Sequence, residues 1–210
     1  MPNFNDILEK SKFQPPLLYG ISCRHGFPSL RVERYLELMF RTSAHIIQWR
    51  EKGLSPESNR QLVRRGVELS RATGKLFVLN SLVQIALKEG STGAHLTSNQ
   101  NLKEALTIVV QSNPTEFMLG KSVHSLSEAK VAQLQEADYV LLSPILDPLS
   151  KVSTGSALGL RGLKEAVETL KVPVFALGGL QNSNIKEISQ VGAIGMAGIS
   201  WMQREIEQLL

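Results

Sequence analysis

The sequence predicts an α/β fold, a single (β/α)8 TIM barrel with a parallel eight-stranded core, on three observations. Eight short and almost uninterrupted apolar runs occur along the chain, at 17–22, 45–49, 76–80, 93–96, 117–120, 139–143, 174–177 and 194–199. Strands covered on both faces read this way. Amphipathic stretches of helical period separate the runs, so each strand is followed by a helix and the sheet is parallel. The third observation is negative. After the first run stands Ser22-Cys23-Arg24-His25-Gly26, which is not the glycine-rich turn that a doubly wound open sheet wants. That open sheet is the weaker alternative, and a closed barrel fits the count of eight.

Taken in order, residues 1–16 are polar, with Phe4, Ile7, Leu8 and Phe13 at roughly helical spacing. They read as an amphipathic lead-in packing on the outside of the barrel, which spans 17–210. Helical patterns follow the strands at 30–40, 58–72, 82–88, 102–110, 127–135, 163–170, 184–191 and 202–209. In 30–40 the residues Val32, Leu36, Met39 and Phe40 share a face; in 58–72, Leu62, Val63, Val67 and Leu69 do. Ser127 ahead of Glu128, and Asn182-Ser183, are helix-start signals. Gly74, Gly90 and Gly192 stand where a left-handed helix end favours glycine.

A chain of 210 residues, 42% hydrophobic and 20% charged, suits one globular domain with a sizeable core. No apolar run is long enough to cross a bilayer, and the first residues lack the apolar centre of a secretory signal. Cys23 is the one cysteine. It excludes an intrachain disulfide or a cysteine cluster for metal and suits a reducing cytoplasm. Its position past the first strand allows a nucleophile, but a semi-buried thiol is the plainer reading. The net charge of +4 is spread along the chain, with no dense basic cluster. That favours small anionic ligands over nucleic acid or a membrane surface. A homo-oligomer is left open.

Chemistry in this fold sits at the carboxyl ends of the strands, and polar residues collect there. Strand 1 offers Ser22 and His25. Strand 2 offers Gln48, Arg50, Glu51 and Lys52, of which Gln48, Arg50 and Lys52 alternate onto one face. An amide and two cations at one strand end suit a phosphorylated anion, pyrophosphate above all. Strand 3 ends in Asn80-Ser81, and strand 4 leads to Thr97-Ser98-Asn99. Lys121-Ser122-Val123-His124 follows strand 5. Gly178-Gly179 after strand 7 and Ser200 after strand 8 stand where this fold grips phosphate. The long loop 146–155 carries Ser150 and Lys151; Lys151 reads either as a cation on a closing lid or as a solvated side chain. Of the four histidines, His45 and His95 lie within strands and read as packed or hydrogen-bonded inside, and His25 is ambiguous. His124 is the candidate for proton transfer near neutral pH.

Together these residues resemble the family of thiamine-phosphate synthases and their TenI-like thiazole tautomerase relatives, from about residue 18 to 201. The fragments are Gln48-Trp49-Arg50-Glu51-Lys52, Asn80, Gly120-Lys121-Ser122-Val123-His124-Ser125, Ala137-Asp138-Tyr139-Val140, Ser143-Pro144-Ile145-Leu146, Ser150-Lys151, Leu158-Gly159-Leu160, Gly178-Gly179-Leu180 and Ile199-Ser200. Each is weak alone; in this order, each at a strand end, they are specific. The resemblance implies a transferase of thiamine biosynthesis. A pyrimidine methyl pyrophosphate ionises, pyrophosphate leaves, and the nitrogen of a hydroxyethylthiazole phosphate captures the cation. It further implies that Gln48, Arg50, Glu51, Lys52, Asn80 and Lys151 hold the pyrimidine pyrophosphate, with Arg50 and Lys52 stabilising the departing charge. Ser122 would sit at the reacting pyrimidine. Ser150, Gly178, Gly179, Ile199 and Ser200 would hold the thiazole phosphate.

The chain departs from that pattern at the metal. The family's synthases carry Asn-Asp after strand 3 and another aspartate after strand 4, and these two bind Mg²⁺. Here Ser81 and Asn99 stand at those places, with Gln100 as the alternative to Asn99. Mg²⁺ sites rely on carboxylates and substrate phosphates, so neutral replacements are poor ligands. The family's Thr-x-Thr before the lysine is Pro148-Leu149-Ser150. Three readings follow: the synthase, which the Gln48, Arg50, Lys52, Asn80 and Lys151 set favours and which is the leading expectation; as its close alternative, a metal-independent thiazole tautomerase with His124 as acid and base; and a non-catalytic binder of thiazole or thiamine phosphates. The small phosphorylated heterocycle is the partner in all three.

Overall fold

The computed structural model describes residues 4–51, 53–147 and 157–210. A first helix α1 (Phe4–Ser11) leads into β1 (Leu17–Ile21), α2 (Val32–Arg41), β2 (Ile46–Trp49) and α3 (Pro56–Thr73). Next come β3 (Leu76–Asn80), α4 (Val83–Glu89), β4 (Gly93–Leu96), α5 (Leu102–Ser112), β5 (Met118–Val123) and α6 (Leu126–Leu134). The chain ends with β6 (Tyr139–Leu142), α7 (Gly159–Thr169), β7 (Val174–Leu177), α8 (Ile185–Gln190), β8 (Gly195–Gly198) and α9 (Ser200–Gln208). The eight strands close into one parallel barrel in sequence order, β8 returning to β1. The expected (β/α)8 barrel is the fold.

Alternation along the strands divides the buried residues into two clusters. One lies between strands and helices and includes Ile47, Phe77, Leu119 and Val140. The other fills the barrel axis with Leu17, Tyr19, Ile46, Val78, Met118, Tyr139 and Phe175. Registers stack the interior positions. Tyr19 pairs with Ile46, Asn80 with His95, and Gly120 with Tyr139. Gly120 has no side chain because Tyr139 fills that space: a Cβ there would lie 2.1 Å from the Tyr139 ring. The inner face is thus apolar at the strand starts and polar at their ends, where Gln48, Asn80, His95 and Ser122 stand.

Two local expectations are corrected and one is made specific. The stripe of α1 packs on the lower end of the barrel. Phe4, Ile7 and Leu8 join the axial cluster, and Phe4 meets Tyr139 and Phe175 with ring centroids 5.4 and 5.8 Å away. The open lower end would otherwise expose those rings to water. β5 runs on through Lys121, Ser122 and Val123, read as loop, because its ladder with β6 continues to the Val123–Leu142 pair. The start of α6 is capped by Ser125, not Ser127: its hydroxyl accepts the Glu128 N–H. Asn182-Ser183 opens a short 3-10 turn, Asn182–Asn184, ahead of α8. The glycines at 74, 90 and 192 all take positive φ.

Because α1 stoppers the barrel, truncating its anchor exposes the axial rings. Phe4→Ala is expected to cost about 3 kcal/mol of unfolding free energy, measured by urea denaturation. A loss below 0.5 kcal/mol would place the helix outside the folded core.

Candidate active site at the carboxyl end of the barrel

The upper part of the axis holds a line of hydrogen bonds whose donors all point one way. The Tyr139 and Tyr19 hydroxyls are 3.0 Å apart, and Tyr19 donates to Gln48 Oε1 at 2.9 Å. With its proton so used, Tyr19 accepts from Tyr139. Gln48 Nε2 donates to Asn80 Oδ1 at 2.9 Å, and Asn80 Nδ2 donates to Ser81 Oγ at 2.9 Å. Ser81 donates to Gln100 Oε1 at 2.7 Å. Both tyrosines are wholly buried, and burial raises both phenol pKa values. They stay protonated donors.

Beside this line, His95 Nε2 lies 2.8 Å from Ser122 Oγ, and His95 Nδ1 has no partner among the described residues. An unpaired lone pair costs less than an unpaired N–H, so we assign the proton to Nε2. Ser122 then accepts from His95, and its own hydroxyl proton is free for a ligand. Burial, with a smaller push from Lys121, lowers the His95 pKa to about 3. This histidine is neutral in the folded protein. Only the register joins it to Ser122: Asn80 faces His95, and His95 faces Gly120, two residues below Ser122. The inward parity of His95 at the top of β4 was the signal for it.

Arg50 stands one residue past β2, half-buried, with its N–H donating to Ser22 Oγ at 2.7 Å. Ser22 is fully buried and thus fixes the backbone of the cation. Arg50 and Asn80 border one small cavity with Glu51. Glu51 accepts the Arg24 N–H at 3.1 Å, so it steadies the neighbouring loop. Lys52, Ser150 and Lys151 lie outside the described residues.

A second pocket, of about 300 Å³, is lined by Gly178, Gly179, Gln181, Ile199, Ser200 and Arg204. No side chain caps the start of α9, which leaves the first N–H groups facing outward. Gly178 and Gly179 have φ of +96° and +66°. A Cβ on Gly178 would lie 2.9 Å from Pro144 Cα, and one on Gly179 would lie 2.6 Å from the Leu146 carbonyl oxygen. The backbone therefore demands both glycines with or without a ligand. Sequence reading did not single out Arg204, whose place one helical turn after Ser200 was the available signal.

His124 directly follows β5. Its ring is exposed, and Nδ1 lies 2.9 Å from the Ser143 carbonyl oxygen. A carbonyl only accepts, so Nδ1 carries the proton and Nε2 presents a lone pair. The segment that orients His124 also carries the glycine turn: Ile145 N–H donates to the Leu177 carbonyl, and Leu146 N–H to that of Gly178.

Where the resemblance implies Mg²⁺ ligands, Ser81 and the loop after β4 present neutral groups bonded to each other. Gln100, not Asn99, faces Ser81; Asn99 Oδ1 instead accepts from Thr97 Oγ1 at 2.6 Å. Gln100 Oε1 also accepts the Thr97 N–H at 3.0 Å. The Lys121 ammonium donates to the Thr97 carbonyl at 2.8 Å and to the Gln100 carbonyl. Among the described residues no group of three His, Cys, Asp or Glu side chains could hold a metal. Neutral oxygens beside an ammonium do not fit Mg²⁺, which needs carboxylate charge.

A thiamine monophosphate synthase family model matches residues 18–202. The chain is 35% identical to "Putative thiamine-phosphate synthase 2" of Aquifex aeolicus over 88% of this chain and 96% of that one. It is 35% identical to "Thiamine-phosphate synthase" of Methanoregula boonei over 75% and 71% of the two chains. A solved thiamine phosphate pyrophosphorylase from Pyrococcus furiosus superposes with a TM-score of 0.75 at 26% identity, covering 92% of this chain and 96% of that one.

The neutral His95 gives a pH test. In the unfolded chain it titrates near 6.5, and in the folded protein near 3. Between those values the unfolded state binds the extra proton, so stability falls as pH drops from 6.5 toward 3. The expected slope from this residue is about 1.4 kcal/mol per pH unit. Thermal melts of the wild type and His95→Asn from pH 7 to 4.5 check it. The variant's curve should be flatter by that amount, and parallel curves would contradict the assignment.

Proposed function

Because the chain belongs to the thiamine monophosphate synthase family, we propose that it acts on a phosphorylated thiazole and isomerises it by proton transfer without a metal. The observation that carries the reading is the shared attachment of His124 and the Gly178-Gly179 turn to the segment from Ser143 to Leu146. A thiazole phosphate gripped by the glycine turn, the Ser200 N–H and Arg204 would bring its ring toward His124. Nε2 takes a proton from one ring position of a thiazole carboxylate phosphate. The resulting imidazolium returns it to another, so composition is unchanged and one residue serves as base and then acid. The Ser143 carbonyl holds Nδ1–H and so orients the ring. The Ser122 hydroxyl and the Gln48–Asn80 pair offer polar contacts to the heterocycle from the barrel axis.

A second reading keeps the family's condensation of a pyrimidine methyl pyrophosphate with hydroxyethylthiazole phosphate. Gln48, Asn80 and Ser122 on one inner rim, Arg50 beside Asn80, and the names of the relatives favour it. The neutral Ser81 and Gln100 at the metal positions speak for the first reading. No described ligand set for Mg²⁺ would help draw charge off pyrophosphate.

Assaying both reactions with and without EDTA separates the readings. We expect isomerisation to persist in EDTA and to fall at least about 100-fold in His124→Ala. Thiamine phosphate formation that needs Mg²⁺ and collapses in Arg50→Ala, with isomerisation absent, would reverse the assignment.

A further inference from the structure

We propose that the Ser81–Gln100 hydrogen bond, backed by Lys121, is a built-in substitute for a divalent cation, tying the end of β3 to the β4–α5 loop. The argument starts from proton directions. Ser81 Oγ accepts from Asn80 Nδ2 and donates its single proton to Gln100 Oε1. Two donors, the Ser81 hydroxyl and the Thr97 N–H, converge on that amide oxygen. A metal site has anionic oxygens around a positive centre. Here the polarity is inverted: donors surround an oxygen, and no cation is needed to hold the two loops together.

Lys121 supplies the remaining constraint. Ser122 faces the barrel axis, so Lys121 points outward and reaches the loop from behind. The residue is 8% exposed. Nζ grips the carbonyls of Thr97 and Gln100, the two residues that shape the knot. Among the described residues no carboxylate is ion-paired with it. A fixed positive charge therefore stands beside the position where a metal would have been held, and it repels a second cation. Lys121 is a positioning residue: it acts through the loop, not on a substrate.

Ser81 makes the exchange testable because its backbone lies at φ +64°, a region that aspartate tolerates. Ser81→Asp still accepts from Asn80 but cannot donate to Gln100. Two oxygens then face each other with no proton between them; turning the Gln100 amide would take the acceptor from the Thr97 N–H, whereas a cation reconnects the pair without that loss.

The test uses Mg²⁺ alone as probe on the full chain. It therefore can fail while the isomerase reading stands, although it deepens that metal-free reading. Thermal melts are recorded in EDTA and at 10 mM MgCl₂, about the upper end of a useful titration for weak Mg²⁺ sites. The wild-type midpoint should not move. Ser81→Asp should melt lower in EDTA and regain several degrees with Mg²⁺. By hydrogen exchange, the Thr97 amide should open about tenfold faster in Lys121→Met and regain protection in Lys121→Arg. If Ser81→Asp fails to fold, Gln100→Glu takes its place: it keeps an acceptor for both donors and should retain Thr97 protection in EDTA. A wild-type midpoint that climbs saturably with Mg²⁺, a Ser81→Asp protein indifferent to EDTA, Thr97 protection unchanged in Lys121→Met, or protection lost in Gln100→Glu would each overturn the proposal.

Discussion

The upper barrel depends on one line of donors running from Tyr139 through Tyr19, Gln48, Asn80 and Ser81 to Gln100. Each link fixes the direction of the next. A buried amide that gives its N–H to one neighbour must take a proton from the other, so no member can flip without leaving an unsatisfied group. The line crosses β6, β1, β2 and β3 and ends on the β4–α5 loop, and it sets the geometry of the whole inner rim. Aligned bonds polarise one another most where they are buried, at Tyr139, Tyr19 and Gln48, while Asn80, Ser81 and Gln100 are half-buried at the rim.

Two kinds of positive charge serve the mouth of the barrel, and they differ in freedom. Lys121 is buried and committed to carbonyls; Arg50 and Arg204 line the two rim cavities, with no ion pair among the described residues. The N–H groups at the start of α9 add a fixed partial charge. The proposed anionic ligand would meet guanidinium groups and a backbone cradle, while the buried ammonium holds the loop carbonyls. The segment from Ser143 to Leu146 couples the glycine turn to His124. Its close approach to Gly178 and Gly179 explains why those positions admit no side chain.

Much of this was legible in the residues, and the failures have physical reasons. Strand positions follow from apolar runs because both faces of a parallel barrel are covered. β5 was read short because Lys121 and Ser122 are polar. Pattern alone does not reveal that Lys121 satisfies backbone carbonyls or that Ser122 meets a histidine. The lead-in's amphipathic stripe was visible in Phe4, Ile7 and Leu8, but not the surface it would cover. That depends on the open lower end of a barrel that exists only once closed. Ser81 was singled out as a neutral residue where the resemblance implies an aspartate, and it bonds the loop after β4. Its partner was named as Asn99 before Gln100, since a turn of loop backbone, invisible in the letters, decides which amide faces inward. The pairing of His95 with Ser122 needed the register between β4 and β5.

A double-mutant cycle on Ser81→Ala and Gln100→Ala, read as unfolding free energy in EDTA, tests the account at its terminal link. The donor line predicts that the two losses are not additive, with a coupling of about 1 kcal/mol. Additivity within about 0.3 kcal/mol would show that these side chains stabilise the fold independently, and the line would end at Asn80.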